Sequence, residues 1–169
     1  MTSNLLNKKG FTLVELLIVI AVISIIAGVL LIQLRPAQIM QKSRDSQRLQ
    51  DLRTLQNAIN LALTEGEITL TANGSSCTSC TSSTGTASSD GSGYVKFTVP
   101  EGKTGLSNYL ATLPVDPTNQ GNYVFRFGST ATDFELNAVF EHTDNAGLMT
   151  TDGGNSNVYY EVGSKLDIL

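Results

Sequence analysis

Residues 11 to 32 run Phe-Thr-Leu-Val-Glu-Leu-Leu-Ile-Val-Ile-Ala-Val-Ile-Ser-Ile-Ile-Ala-Gly-Val-Leu-Leu-Ile, 22 positions with one charge. As a helix at 1.5 Å per residue this stretch is about 33 Å long, enough to cross the hydrocarbon core of a bilayer. Lys8 and Lys9 stand just before it in a short polar leader. That charge placement predicts a single pass with the N-terminus in the cytoplasm, although Arg35 beyond the span weakens the bias. The run is too long for an ordinary secretory signal and carries Glu15 near its start. A carboxylate inside an apolar helix costs about 2.5–3.5 kcal/mol on insertion scales, so Glu15 calls for a partner and a function.

The segment Lys8-Lys9-Gly10-Phe11-Thr12-Leu13-Val14-Glu15-Leu16 resembles the processing site of type IV prepilins and type II secretion pseudopilins. The resemblance implies that a prepilin peptidase and N-methyltransferase cuts after Gly10 and methylates the new N-terminus at Phe11. It further implies that Glu15 pairs with the Phe11 amine of a neighbouring copy as identical subunits polymerise on an inner-membrane assembly platform. Two charges that are costly alone in an apolar bundle would neutralise each other, and the pairing would set the axial register. The expected product is a subunit of the major-pilin kind in a filament serving adhesion, motility or DNA uptake. The alternative is a pseudopilin of a secretion or competence system. The chain is expected in the cytoplasmic membrane before assembly and in an extracellular or periplasmic filament afterwards.

Beyond the span, Leu52, Leu55, Ile59 and Ala62 recur at helical steps with Leu63 beside them, an amphipathic stripe that Glu65-Gly66 should end. Pro36 should bend or unwind the helix, with Gly28 a second weak point. The charges of Arg44-Asp45-Ser46-Gln47-Arg48 are expected as subunit contacts and solvated faces. From Glu65 onward four basic residues face twelve acidic ones, a balance that argues against a general nucleic-acid binder, and no nucleic-acid partner is expected.

Residues 71 to 93 are rich in Gly, Ser and Thr, lack apolar content and read as a flexible exposed loop. Asn73-Gly74-Ser75 fits a glycosylation sequon and reads as a turn. Cys77-Thr-Ser-Cys80 has the spacing of a redox motif or half a metal site. Structural zinc, however, usually takes four Cys or His ligands, and His142 is the only histidine. In a head outside the cytoplasm a Cys77–Cys80 disulfide is the expectation.

After this stretch the period changes to two. Residues 94–99, 122–127, 133–141 and 157–162 are strand candidates, and in the third Phe134, Leu136, Ala138 and Phe140 oppose Asp133, Glu135, Asn137 and Glu141. One buried and one wet face imply an antiparallel sheet packed on the amphipathic helix. The fold class is therefore α+β of type IV pilin-like form: a hydrophobic protruding half-helix, an amphipathic half packed on a head, and an antiparallel β-sheet. The expected divisions are a leader over 1–10, the transmembrane and assembly helix over 11–34, and the stem helix over 35–65. A loop over 66–93 and the head over 94–169 follow. Some heads of the resembled family bind calcium. Asp116, Asn119 and Asp133 carry suitable oxygens, but no EF-hand spacing is present, and no metal or cofactor is expected. The chain shows no nucleophile motif, phosphate-binding glycine loop or recognisable carboxylate pair, so no catalysis is expected.

Overall fold

The computed structural model describes residues 10–73 and 77–169. The leader through Lys9, including Lys8, and the sequon residues Gly74 and Ser75 lie outside the described residues. The chain divides into two compact units, residues 1–39 and 40–169.

In the first unit α1 spans Leu13–Leu34. Its Leu13–Leu30 window is long and apolar enough to cross a membrane, and its large apolar side chains are 49–79% exposed. Nothing interrupts the helix at Gly28. The break comes at Arg35, whose φ of 42° and ψ of 70° put it in the left-handed region. Pro36 then opens α2, Pro36–Thr64. A first-turn proline has no N–H to lose, and the residue before a proline avoids the helical region, so the Arg35–Pro36 step is a natural place to end one helix and begin another.

In the second unit, the rest of α2 buries Leu52, Leu55, Ala58, Ile59 and Ala62. The stripe read from the sequence is thus the buried face. The helix stops in a Schellman motif: the Glu67 N–H donates to the Ala62 carbonyl at 2.8 Å, the Gly66 N–H donates to the Leu63 carbonyl at 3.2 Å, and Gly66 has φ 66°.

Two antiparallel sheets follow rather than one. β1 (Thr69–Leu70) pairs with β2 (Phe97–Thr98), and β3 (Arg126–Ser129), β4 (Phe134–Ala138) and β5 (Tyr160–Gly163) form a three-stranded meander. A 3-10 turn, Thr143–Asn145, and a single helical turn, α3 (Leu148–Thr151), lie in the β4–β5 connection. On one face of the meander Phe127, Leu136 and Val162 stand in cross-strand register. They join Leu52, Leu55 and Ile59 of α2 and Phe125 and Phe134 in one buried cluster. Each such side chain contributes about 1.5–3 kcal/mol by leaving water, which makes this cluster the main cohesion of the head.

Two expectations fail here. The other face of β4, expected wet, is buried: Glu135 and Asn137 are 0% and 1% exposed. The stretch read as a flexible loop is also partly interior, with Cys80, Ser82 and Ser89 buried. Its hydroxyl groups replace apolar bulk with specific bonds. Ser82 Oγ donates to Asn119 Oδ1 at 2.7 Å and accepts from the Phe125 N–H at 3.0 Å, and the Phe127 N–H donates to the Cys80 carbonyl at 2.9 Å. Low hydrophobicity tracks disorder only where such side-chain-to-backbone bonding is lacking.

Candidate assembly site

The start of α1 is organised by one residue that the sequence reading passed over. Thr12 is the N-cap, in extended conformation at φ −79° and ψ 153°. Its Oγ1 accepts from the Glu15 N–H at 3.2 Å, while Glu15 Oε2 accepts from the Thr12 N–H and from the Thr12 hydroxyl, each at 2.8 Å. This reciprocal capping box satisfies N–H groups that a helix start leaves without partners. The signal was present in the sequence as a Thr followed three residues later by Glu before an apolar run. Within a single chain, therefore, the Glu15 carboxylate has hydrogen-bond donors of its own. Phe11 is 89% exposed and Gly10 is exposed with open space around it. The two residues of the expected cut and the carboxylate lie within about one and a half turns of chain.

Loss of the Thr12 hydroxyl is expected to cost about 1 kcal/mol at the helix start. Amide exchange at Glu15 should accelerate about fivefold in Thr12→Val and return to normal in Thr12→Ser. Unchanged exchange in the valine variant would remove the cap from the account.

The stem half of α2 carries the second constellation, wholly within the second unit. Arg48 is fully buried. Its Nε donates to Asp116 Oδ2 at 2.7 Å, its Nη2 to Asp116 Oδ1 at 2.9 Å, and its Nη1 to Asp45 Oδ1 at 2.9 Å and toward Glu141 Oε1 at 2.7 Å. The Tyr123 ring lies 5.2 Å from the guanidinium carbon. Arg44 grips Glu141 with both Nε and Nη2, and Lys42 pairs with Asp144 at 2.6 Å. Asp45 collects N–H groups from Glu141, His142 and the Asn145 amide. The Arg44 guanidinium, joined by Arg48 and the Thr118 hydroxyl, outweighs the burial that would raise Glu141 and holds its carboxyl at about 2. The stem charges are thus intramolecular clamps, which corrects the expectation of solvated faces at Arg48.

The three oxygen-bearing residues considered for calcium are dispersed over different duties. Asp116 is buried and holds Arg48, the Thr118 N–H and the Asn119 N–H. Asn119, at φ 48°, exchanges bonds with Ser82. Asp133 accepts from the hydroxyl groups of Thr132 and Ser164, which hold its carboxyl below the usual range. Among the described residues no group of three His, Cys, Asp or Glu is arranged to hold a metal ion. Cys77 and Cys80 are joined by a disulfide in the loop that borders β3.

A family model describing the prokaryotic N-terminal methylation motif matches residues 5–31. No curated protein and no solved structure matches the chain. The matched segment contains the capping box, Gly10, Phe11 and most of the apolar helix.

Proposed function

We propose that this type IV pilin-like or pseudopilin-like prepilin is a structural subunit, of the major-pilin kind, of a filament held together by its N-terminal helix. The observation that carries the reading is the single carboxylate, Glu15, at the head of an otherwise uncharged span that the methylation motif covers. A membrane anchor with the leader in the cytoplasm is the starting state. Cleavage after Gly10 removes the leader and creates a charged amine at Phe11, which is then methylated. In the monomer Glu15 leans on its own Thr12. On an inner-membrane assembly platform the carboxylate turns to the Phe11 amine of the neighbouring copy, and the exposed Leu, Ile and Val side chains of α1 bury against other subunits. Burial of that apolar surface supplies most of the cohesion, while the charge pair selects the register. Residues 11–34 form the anchor and assembly helix, 35–65 the stem, and 66–169 the loop and head, with the Cys77–Cys80 disulfide marking a head that matures outside the cytoplasm.

The methylation motif and the apolar helix also suit a pseudopilin in a secretion or competence system, and adhesion, motility and DNA uptake are the outputs of the pilus reading. Intact and peptide mass spectrometry of sheared surface material decides first whether a filament exists. A mature N-terminus at N-methyl-Phe11 in that material is the expected result. Chains that still begin at Met1 and remain in the membrane would overturn the proposal. Processed chains absent from the cell surface, together with a secretion or transformation defect, would favour the pseudopilin.

A further inference from the structure

The outward face of the three-stranded sheet holds a row of polar residues in register: Arg126 of β3 opposite Asn137 of β4, and Asn137 opposite Glu161 of β5. Glu135 lies on the same face two positions along β4, between Gly128 and Gly163. Glu135, Asn137 and Glu161 are all at most 1% exposed. Two segments hide them, residues 152–159 and residues 164–169, and each is tied down by a carboxylate beneath it. Glu161 Oε2 accepts from the Ser156 N–H at 3.0 Å. Glu135 Oε2 accepts from the Ile168 and Leu169 N–H groups at 2.6 and 3.1 Å. Asp152 returns the favour, accepting from the Gly154 and Glu161 N–H groups. The glycines make room for this closeness. A Cβ on Gly154 would come within 1.9 Å of Glu161 Oε2, and one on Gly128 within 2.6 Å of Leu169.

Each carboxylate keeps a second oxygen, Oε1, that is buried and has no donor. Glu135 and Glu161 are diagonal neighbours across β4 and β5, close enough for side chains to meet, so each donorless oxygen lies buried near a second carboxylate. Two buried negative charges this close repel strongly, and a proton held between them removes the repulsion and supplies the missing donor. We infer that the Glu135–Glu161 pair is a proton-locked latch: with one shared proton it clamps residues 152–156 and 164–169 over the sheet, and on losing that proton it releases them.

The groups facing the pair reinforce the lock. Asp152 adds negative charge from the 152–159 segment. Arg126 of β3 lies 5.0 Å from the centre of the Tyr159 ring, and its buried Nε has no hydrogen-bond partner among the described residues. Lys165 of the covering tail is paired with Asp167 at 3.0 Å. Burial, opposed by the Ser156 N–H and assisted by the neighbouring Glu135 carboxylate, pushes the Glu161 carboxyl up to about 7. Because the folded value is raised above the unfolded one near 4.5, folding takes up a proton. The latch's contribution is complete below the unfolded value and is lost as pH rises through about 7. The carboxyls held low, such as Glu141, titrate outside this window.

The test uses the full chain in detergent micelles and needs no variant to begin. Carboxyl-carbon NMR of the glutamates from pH 4 to 9 should show the pair releasing its last proton near pH 7. Completion of the Glu161 titration below pH 5 would overturn the latch. Glu161→Gln replaces the proton by an amide donor. The wild-type melting temperature should fall more steeply between pH 5.5 and 8.5 than that of Glu161→Gln, which should exceed wild type at pH 8.5. Protection of the Ser156, Ile168 and Leu169 amides should drop at least tenfold over the same interval in wild type only. Any other group titrating in that window contributes to both chains alike. Equal pH slopes in the two proteins would therefore refute the latch.

Discussion

Arg48→Ala is expected to destabilise the head by about 3–5 kcal/mol, the cost of removing one member from a buried charge network. Most of that loss is not the forfeited attraction. It arises because Asp116 and Asp45, both buried, would be left as anions without a cation beside them. Urea unfolding of the full chain in micelles, followed by tyrosine fluorescence, should show a midpoint lowered by roughly 2 M for a typical urea slope of about 2 kcal/mol per molar. Arg44→Ala should lower the midpoint far less, because the Arg44 side chain is 31% exposed and Arg48 still faces Glu141. Similar midpoints for the two variants would show that the buried Arg48 network adds no more to the head's stability than the part-exposed Arg44 pair.

The second large effect is expected at Glu15. With Glu15→Ala, cleavage and methylation should proceed, because Gly10 and Phe11 are untouched, but incorporation into sheared filaments should fall about a hundredfold. That figure follows from leaving a charged amine unpaired in an apolar bundle, a penalty of about 2.5–3.5 kcal/mol. Immunoblots of membrane and sheared fractions should find the mature chain retained in the membrane. Normal filament yield from the alanine variant would discard the charge pairing while leaving the processing intact. Glu15→Asp, one methylene shorter, should recover part of the yield.

The parts of this molecule that were legible in its sequence are those set by local pattern. An uninterrupted apolar run gave α1, and the steps between Leu52, Leu55, Ile59 and Ala62 gave the buried face of α2 and, with Gly66, its end. The alternation in 133–141 located β4, but only Phe134–Ala138 found strand partners, since partner position sets strand length. What stayed hidden depends on contacts far apart in the chain. Arg48 looks like one more charge on a polar helix until Asp116, 68 positions away, is folded onto it. Glu135 and Asn137 read as a solvent face because alternation cannot reveal that residues 152–159 and 164–169 will cover it. Thr12 was different, since its capping pattern was visible and simply overshadowed by the glutamate it serves.

The placement of the stem clamps has a mechanical consequence. In the proposed filament, tension carried by the N-terminal helices enters the head through the first turns of its stem. There the load meets Lys42, Arg44, Asp45 and Arg48 before it reaches Leu52, Leu55 and Ile59. Asp45 spreads the pull over three donors in the 141–145 turn, and Arg48 passes it to Asp116 on a separate segment. A tug on the stem is thus shared among several short charge-assisted bonds loaded together. Each can re-form after slipping, so the greasy core behind them stays closed while they take up the strain.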